Sequence, residues 1–196
     1  MRKIPETERS HNFSKWEGHE FTRAAVGLDD AALAAEVCRE AYAHDVPAGT
    51  YFVTFITWQR RRLFVVEPYV RLFLKTLYSY KRQGRFQLYA FVLMPEHVHL
   101  LLTPANDITL ERAIQRIKGG YSHAFGLEFR GQEVWQRGFT DHRIRDAEDF
   151  VRHREYIHQN PVKRRLVENA KEYRYCSAYP GFKLDEPNSA AEAAFA

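Results

Sequence analysis

Cysteine, methionine and long apolar runs are all scarce in this sequence of 196 residues. Its two cysteines, Cys38 and Cys176, form neither a disulfide framework nor a Cys-x-x-Cys metal motif, and this fits a reducing cytoplasm. The longest apolar runs have the length of a strand and are too short to span a membrane. The first residues lack the apolar segment of a signal peptide. With 45% hydrophobic residues, a cytoplasmic globular protein is the expected class.

Acidic residues are also scarce in the middle of the chain. The net charge is +4, but residues 49–166 hold 20 lysines and arginines against 11 acids, whereas both ends are acidic. Concentrated positive charge is typical of proteins that bind polyanions, most often nucleic acid. A solvated surface with a modest excess of arginine is the alternative that charge alone leaves open.

Residues 49–182 are predicted to form the principal domain. Residues 1–48 are predicted to be an N-terminal extension with one alanine-rich helix at 29–42, and residues 183–196 a flexible tail. Within the domain, dense β-branched and aromatic residues mark strands, and apolar residues at helical spacing mark helices. The predicted order is a strand at 50–58, a helix from Pro68 to near Gly84, strands at 86–94 and 97–103, a helix from Thr109 to about Phe129, a strand at 141–145, and a helix from about Asp146 to Asn160.

The first six elements follow one another in the order β-α-β-β-α-β. This order predicts a ferredoxin-like α+β sandwich, an antiparallel sheet with two helices on one face. The strand at 97–103 is expected to be central in that sheet. The seventh element is a C-terminal helix. The open face of the central strand is expected to be able to carry chemistry.

Two histidines stand at the start of the strand at 97–103. A β-strand sends residues i and i+2 to the same face, so His97 and His99 project side by side with Cα atoms roughly 6–7 Å apart. Val98, Leu100 and Leu102 then face a core. Paired imidazoles suit a divalent metal, although an ordinary strand with two surface histidines is the commoner explanation of a bare His-x-His.

The last predicted helix carries a second candidate group. Asp146 is a good N-cap, and Pro161 is expected to stop the helix directly after Asn160. Tyr156 and Asn160 are four residues apart and stand one above the other, with His153 on the same side. Two histidines and an amide can hold a divalent ion, and a tyrosine one turn from that amide can attack a phosphate. A surface tyrosine is the alternative for this helix in isolation.

These motifs together resemble the single-tyrosine HUH transposases, and within them the REP-associated tyrosine transposases. The resemblance runs from about Thr50 to about Tyr179. The segments that carry it are 94–101 (MPEHVHLL), 135–139 (WQRGF), 156–162 (YIHQNPV) and 173–178 (YRYCSA). Residues 1–48 do not match the pattern of the family.

The resemblance implies a ferredoxin-like fold and metal-dependent cleavage and rejoining of single-stranded DNA near repeat hairpins. By position, His97, His99 and Asn160 are metal ligands and Tyr156 is the nucleophile, which forms a 5′-phosphotyrosine link and releases a 3′-hydroxyl. Two neutral imidazoles, an amide and phosphate oxygens favour Mg²⁺ or Mn²⁺ over zinc. A nucleoid-associated monomer or homodimer is expected, and a non-catalytic nucleic-acid-binding regulator on the same scaffold is the alternative.

Basic and aromatic side chains are the candidates for DNA contact. Phosphate contacts by the basic groups would make binding sensitive to salt. Trp58, Tyr121 and Trp135 could stack on unpaired bases, but burial in the core explains each of them equally well. The basic candidates are Arg60, Arg61, Arg62, Arg116, Lys118, Lys163, Arg164 and Arg165.

Overall fold

The computed structural model describes residues 49–129 and 133–187. The predicted extension, with its helix at 29–42, and residues 188–196 of the predicted tail lie outside these ranges. The described elements are β1 (Tyr51–Ile56), α1 (Glu67–Arg82), β2 (Phe86–Met94), β3 (His97–Pro104), α2 (Leu110–Phe129), β4 (Thr140–Arg143) and α3 (Ala147–Lys163). Short 3₁₀ turns lie at Trp58–Arg60, Leu63–Val65 and Ala170–Glu172. No helix in the described ranges is long and apolar enough to cross a membrane.

The four strands form one antiparallel sheet in the order β2-β3-β1-β4. This is the ferredoxin-like arrangement that the sequence predicts, and β3 occupies the central position expected for it. The register places His99 between Thr54 of β1 and Val92 of β2. The two histidines therefore lie in the interior of the sheet and not at an edge.

The sheet has a different apolar cluster on each face. Val98, Leu100 and Leu102 of β3 belong to the main core, together with apolar residues of α1 and α2. Leu101 points the other way and joins a smaller cluster with Phe150 and Ile157 of α3. Because strand residues alternate between faces, α3 packs on the face that carries the histidines.

Helix α3 begins as predicted but ends three residues later than predicted. Asp146 caps it by accepting a hydrogen bond from the backbone N–H of Asp149 at 2.8 Å. Pro161 lies buried inside the helix, and the prediction that it ends the helix at Asn160 is wrong. A proline inside a helix loses one hydrogen bond, here the one to the carbonyl of Ile157, and its ring crowds that same carbonyl. The turn still closes beyond it, because Arg164 N donates to Asn160 O at 3.0 Å.

The segment after α3 covers the outer edge of β2. Leu93 N donates to Tyr175 O and Ser177 N donates to Phe91 O, both at 2.9 Å. Further along, Asp185 accepts from Leu88 N and from Lys81 Nζ. An uncovered edge strand invites pairing with other chains, so this segment closes one side of the sheet.

Helices α1 and α2 approach each other closely at Gly120. A Cβ built there would lie 2.6 Å from the hydroxyl of Tyr80, whereas a Cβ at Gly119 meets nothing within 4 Å. We expect Gly120→Ala to lower the free energy of unfolding by about 1–2 kcal/mol, because overpacking against Tyr80 exceeds the gain of up to about 1 kcal/mol in helix propensity. The matched control Gly119→Ala should raise it by up to about 1 kcal/mol, because alanine is the better helix former. Urea denaturation measures both, and equal effects of the two substitutions would contradict the close approach.

Candidate active site

The predicted ligands and nucleophile converge on the face of the sheet covered by α3. The His97 and His99 rings lie 4.7 Å apart between centroids, and the Tyr156 ring lies 5.5 Å from that of His99. Nδ2 of Asn160 is 3.3 Å from Nε2 of His99. His97, His99 and Asn160 are all buried, whereas Tyr156 is half-buried. Side chains from β3 and from a helix about 60 residues later along the chain thus form one cluster.

The orientation of the Asn160 amide sets the tautomer of His99 in this structure. The amide nitrogen of Asn160 only donates, so Nε2 of His99 must accept and the ring proton sits on Nδ1. Nδ1–H then donates to Thr54 Oγ1 at 2.7 Å. This tautomer aims the Nε2 lone pair at the Asn160 amide, and a 180° turn of that amide would bring its oxygen to the same place. The donor set therefore fits a divalent cation.

Both imidazoles are held neutral. Burial lowers the pKa of His97 to about 4, against the opposing effect of the Glu96 carboxylate, whose Oε1 lies 3.4 Å from His97 Nδ1. Burial, with smaller effects of His97 and Arg164, holds the pKa of His99 well below its usual range. Because only the neutral ring has a lone pair to donate, this environment prepares both histidines for a metal.

The sequence did not single out Phe52, which organises the aromatic side of the cluster. Its ring stacks on His99 at 5.3 Å and meets His153 at 4.9 Å and Tyr156 at 5.7 Å. Lys163, two turns after Tyr156, places its Nζ 5.3 Å from the centroid of the tyrosine ring. Phe52 and Thr54 are two residues apart on β1 and share one face of the sheet. Only the pairing of β1 with β3 shows that this is the face of the histidines.

Thr54 is expected to control metal affinity through His99. Thr54→Val keeps the shape but removes the acceptor for Nδ1–H, so that buried N–H is left without its hydrogen bond. Losing the hydrogen-bonding partner of a histidine ligand weakens metal binding by roughly 10–100-fold, and we expect a change of this size in the Kd for Mn²⁺ measured by calorimetry. Thr76→Val is the control, because the Thr76 hydroxyl bonds only to Leu72 O within α1 on the other face of the sheet. Unchanged Mn²⁺ affinity in Thr54→Val would refute this role.

The basic candidates for DNA contact divide into two groups. Arg61 donates to the carbonyl of Glu133, and Lys118 donates to the carbonyls of Gln136 and Gly138, so both brace the loop before β4. The other six are exposed: Arg60, Arg62, Arg116, Lys163, Arg164 and Arg165. Contact of any of these side chains with DNA stays a prediction.

The core interpretation holds for two of the three candidate aromatic residues. Tyr121 is completely buried, and Trp135 is buried with its indole N–H donating to Lys118 O at 3.1 Å. Both pack in the main core with Phe64 and Phe73. Trp58 is half-buried in the turn after β1. Tyr121 and Trp135 therefore support the scaffold and are not surfaces for base stacking.

A His-x-His strand and a tyrosine helix lie on one face of a ferredoxin-like sheet, and comparison with known proteins places this chain among the transposases. The family model described as "Transposase IS200 like" matches residues 45–160. The REP-associated tyrosine transposase of Escherichia coli (strain K12) is 30% identical over 131 residues, which cover 66% of this chain and 76% of that protein.

A solved structure of a REP-associated tyrosine transposase bound to a REP hairpin is also similar to this chain. It superposes with a TM-score of 0.58 at 29% identity, covering 68% of this chain and 79% of the other. The chain belongs to the IS200-like transposases and, within them, to the REP-associated tyrosine transposases.

Proposed function

We propose that this protein cuts and rejoins single-stranded DNA beside a repeat hairpin, with Tyr156 as the nucleophile. The observation that carries the proposal is the contact of the Tyr156 ring with His99, whose Nε2 in turn faces Asn160. A phenol, two neutral imidazoles and an amide on one face provide both a nucleophile and a place for a cation beside it. Membership of a transposase family supports DNA as the substrate.

The covalent step exchanges one phosphoester for another. The Tyr156 oxygen bonds to the scissile phosphorus and loses its proton, while the bond from phosphorus to the 3′ oxygen breaks and that oxygen gains a proton. The downstream strand is then held by its 5′ phosphate on Tyr156, and the upstream strand ends in a 3′-hydroxyl. The 3′-hydroxyl of the same strand or of another strand can then attack the phosphotyrosine link, which rejoins the DNA and releases Tyr156. Since each step conserves the phosphoester, no external energy source is needed.

His97, His99 and Asn160 would hold the divalent cation, with Mg²⁺ or Mn²⁺ the best fit to this donor set. A bound cation neutralises charge that develops on the transferring phosphoryl group. The protein itself holds the two rings neutral, holds His99 Nδ1 in a hydrogen bond to Thr54, and orients the Tyr156 ring against Phe52. Positioning by these residues is the part of catalysis that the chain supplies directly.

A DNA hairpin is the proposed partner, because the related solved protein is bound to a REP hairpin. The exposed basic residues Arg164 and Arg165 directly follow the end of α3, and Arg60 acts on the charge state of His97 from the turn after β1. Gln59 and Arg60 both have φ of 53°, a strained conformation that is common at functional sites. These groups would hold DNA phosphates near Tyr156.

The test uses single strands from repeats that flank the coding region, labelled at either end and incubated with Mn²⁺ or Mg²⁺. A 3′ label should migrate with the protein on a denaturing gel, and a 5′ label should appear in a shorter free strand that a polymerase can extend. Chelation with EDTA should abolish both products. Tight binding to the hairpin without cleavage in any divalent metal would instead support the non-catalytic regulator.

A further inference from the structure

A second group of metal-ligating side chains lies at the start of α3. His142 of β4 and His153 of α3 flank Asp149, and one ligand atom of each residue lies within 4.8 Å of the others. His142 Nε2 is 2.8 Å from Asp149 Oδ2, and His153 Nδ1 is 3.2 Å from Asp149 Oδ1. The two rings stack at 4.6 Å with an interplanar angle of 19°. None of these residues is a predicted ligand of the first site, the one formed by His97, His99 and Asn160.

Asp149 is the unusual member of this group. Its side chain is only 2% exposed, yet Oδ1 accepts no hydrogen bond. His153 Nδ1 donates instead to the Asp149 backbone carbonyl at 2.8 Å. A buried carboxylate oxygen that accepts no hydrogen bond is costly, so Oδ1, with only His153 Nδ1 nearby at 3.2 Å, points to a positive ligand that completes its surroundings.

We propose that His142, Asp149 and His153 form a second divalent cation site that fastens β4 to the start of α3. Two imidazoles and one carboxylate are the ligands of Zn²⁺ and similar first-row cations, which lie about 2.0–2.2 Å from each donor. Side-chain movements on the order of 1 Å bring the three donors to such distances. This donor set differs from the hard site expected at His97, His99 and Asn160, so the two sites would prefer different ions.

The site is open to ions from solvent. The His142 side chain is 40% exposed, which leaves coordination positions for water. The nearest competing cation is Arg145, whose Nε lies 3.5 Å from Asp149 Oδ2, but the Arg145 side chain is 70% exposed and can turn into solvent. A cation would displace the protons by which His142 Nε2 and His153 Nδ1 now donate to the Asp149 carboxylate and backbone carbonyl.

A cation here would act on the helix that carries Tyr156. Asp149 lies about two turns before Tyr156 on α3, and His153 contacts Phe52, which also contacts the tyrosine ring. Fixing β4 to α3 therefore stabilises the position of the nucleophile without touching DNA. The site is structural and its occupancy does not depend on cleavage activity.

Calorimetry with Zn²⁺ on the full metal-stripped chain tests the site in a His97→Ala/His99→Ala background, which removes the first site. We expect one Zn²⁺ per chain, and binding weakened by roughly 100-fold when His142→Ala is added, because losing a ligand exceeds the 10–100-fold effect of losing a ligand's partner. His123→Ala, at an exposed histidine of α2, should leave the affinity unchanged. Co²⁺ should give visible absorption that disappears with His142→Ala.

Two results would overturn the site: no Zn²⁺ binding in the His97→Ala/His99→Ala background, or binding that His142→Ala leaves unchanged. The first would mean that the three residues are only a hydrogen-bonded clamp, and the second that Zn²⁺ binds elsewhere. His142 bonds the Asp149 carboxylate and not Asp146, so its replacement leaves the helix cap made by Asp146 in place. If His142→Ala nonetheless fails to fold, His142→Gln gives the same comparison. Failure of DNA cleavage would leave these binding results unaffected.

Discussion

Replacing Tyr156 with phenylalanine is expected to abolish the covalent protein–DNA adduct and to lower strand cleavage by a factor on the order of 10⁴ or more, the scale on which enzymes lose activity with their nucleophile. The substitution removes one oxygen and leaves the ring. Its contacts with Phe52 and His99 are ring contacts at 5.7 and 5.5 Å, so the fold and hairpin binding should persist. The measurement is a single-turnover assay with the 3′-labelled strand.

Tyr80→Phe is the matched control for that experiment. Tyr80 lies on α1, on the other face of the sheet from α3, and its hydroxyl faces Gly120 of α2. Adduct formation should be unchanged in this variant. An adduct of normal yield in Tyr156→Phe would transfer the nucleophile to another residue and refute the proposed step.

Removal of the histidine pair is the second change with a large expected effect. In His97→Ala/His99→Ala the two imidazoles of the proposed cation site are gone, and we expect cleavage to fall by at least about 100-fold, more than the loss of a ligand's hydrogen-bonding partner. Hairpin binding should remain, because we propose that the exposed basic groups provide it. Cleavage rate against Mn²⁺ concentration, with electrophoretic binding measured in parallel, separates the two effects.

His123→Ala controls for the loss of a histidine as such, since His123 is exposed on α2. A variant without His97 and His99 that still cleaves at the wild-type rate would show that these rings do not support catalysis. If hairpin binding fell with cleavage, the pair would instead be needed to hold the DNA.

Strand β3 was predictable because its candidate metal ligands and its core residues both follow the two-residue period of a strand. Alternation alone separates His97 and His99 from Val98 and Leu100, and the structure has both sets on the expected faces. Strand β2 has the predicted bounds, since a largely apolar run between a glycine turn and a proline turn leaves little choice. Local rules were sufficient for these elements.

Contacts between distant elements were beyond those rules. Pro161 was expected to end α3, but burial of the proline and closure of the next turn outweigh the one lost hydrogen bond. The grouping of His142 with Asp149 and His153 depends on how β4 meets α3, which no local spacing reveals. Asp149 and His153 stand four apart on one helix, and that was the only signal available.

The most direct test of the account is to find the amino acid that becomes joined to DNA. After reaction with a hairpin strand and Mn²⁺, nuclease and trypsin digestion should leave a nucleotide linked through its 5′ phosphate to the peptide Glu155–Lys163, and fragmentation in the mass spectrometer should place it on Tyr156. A linkage on any other residue, or cleavage that leaves every tyrosine unmodified at all times, would contradict the account.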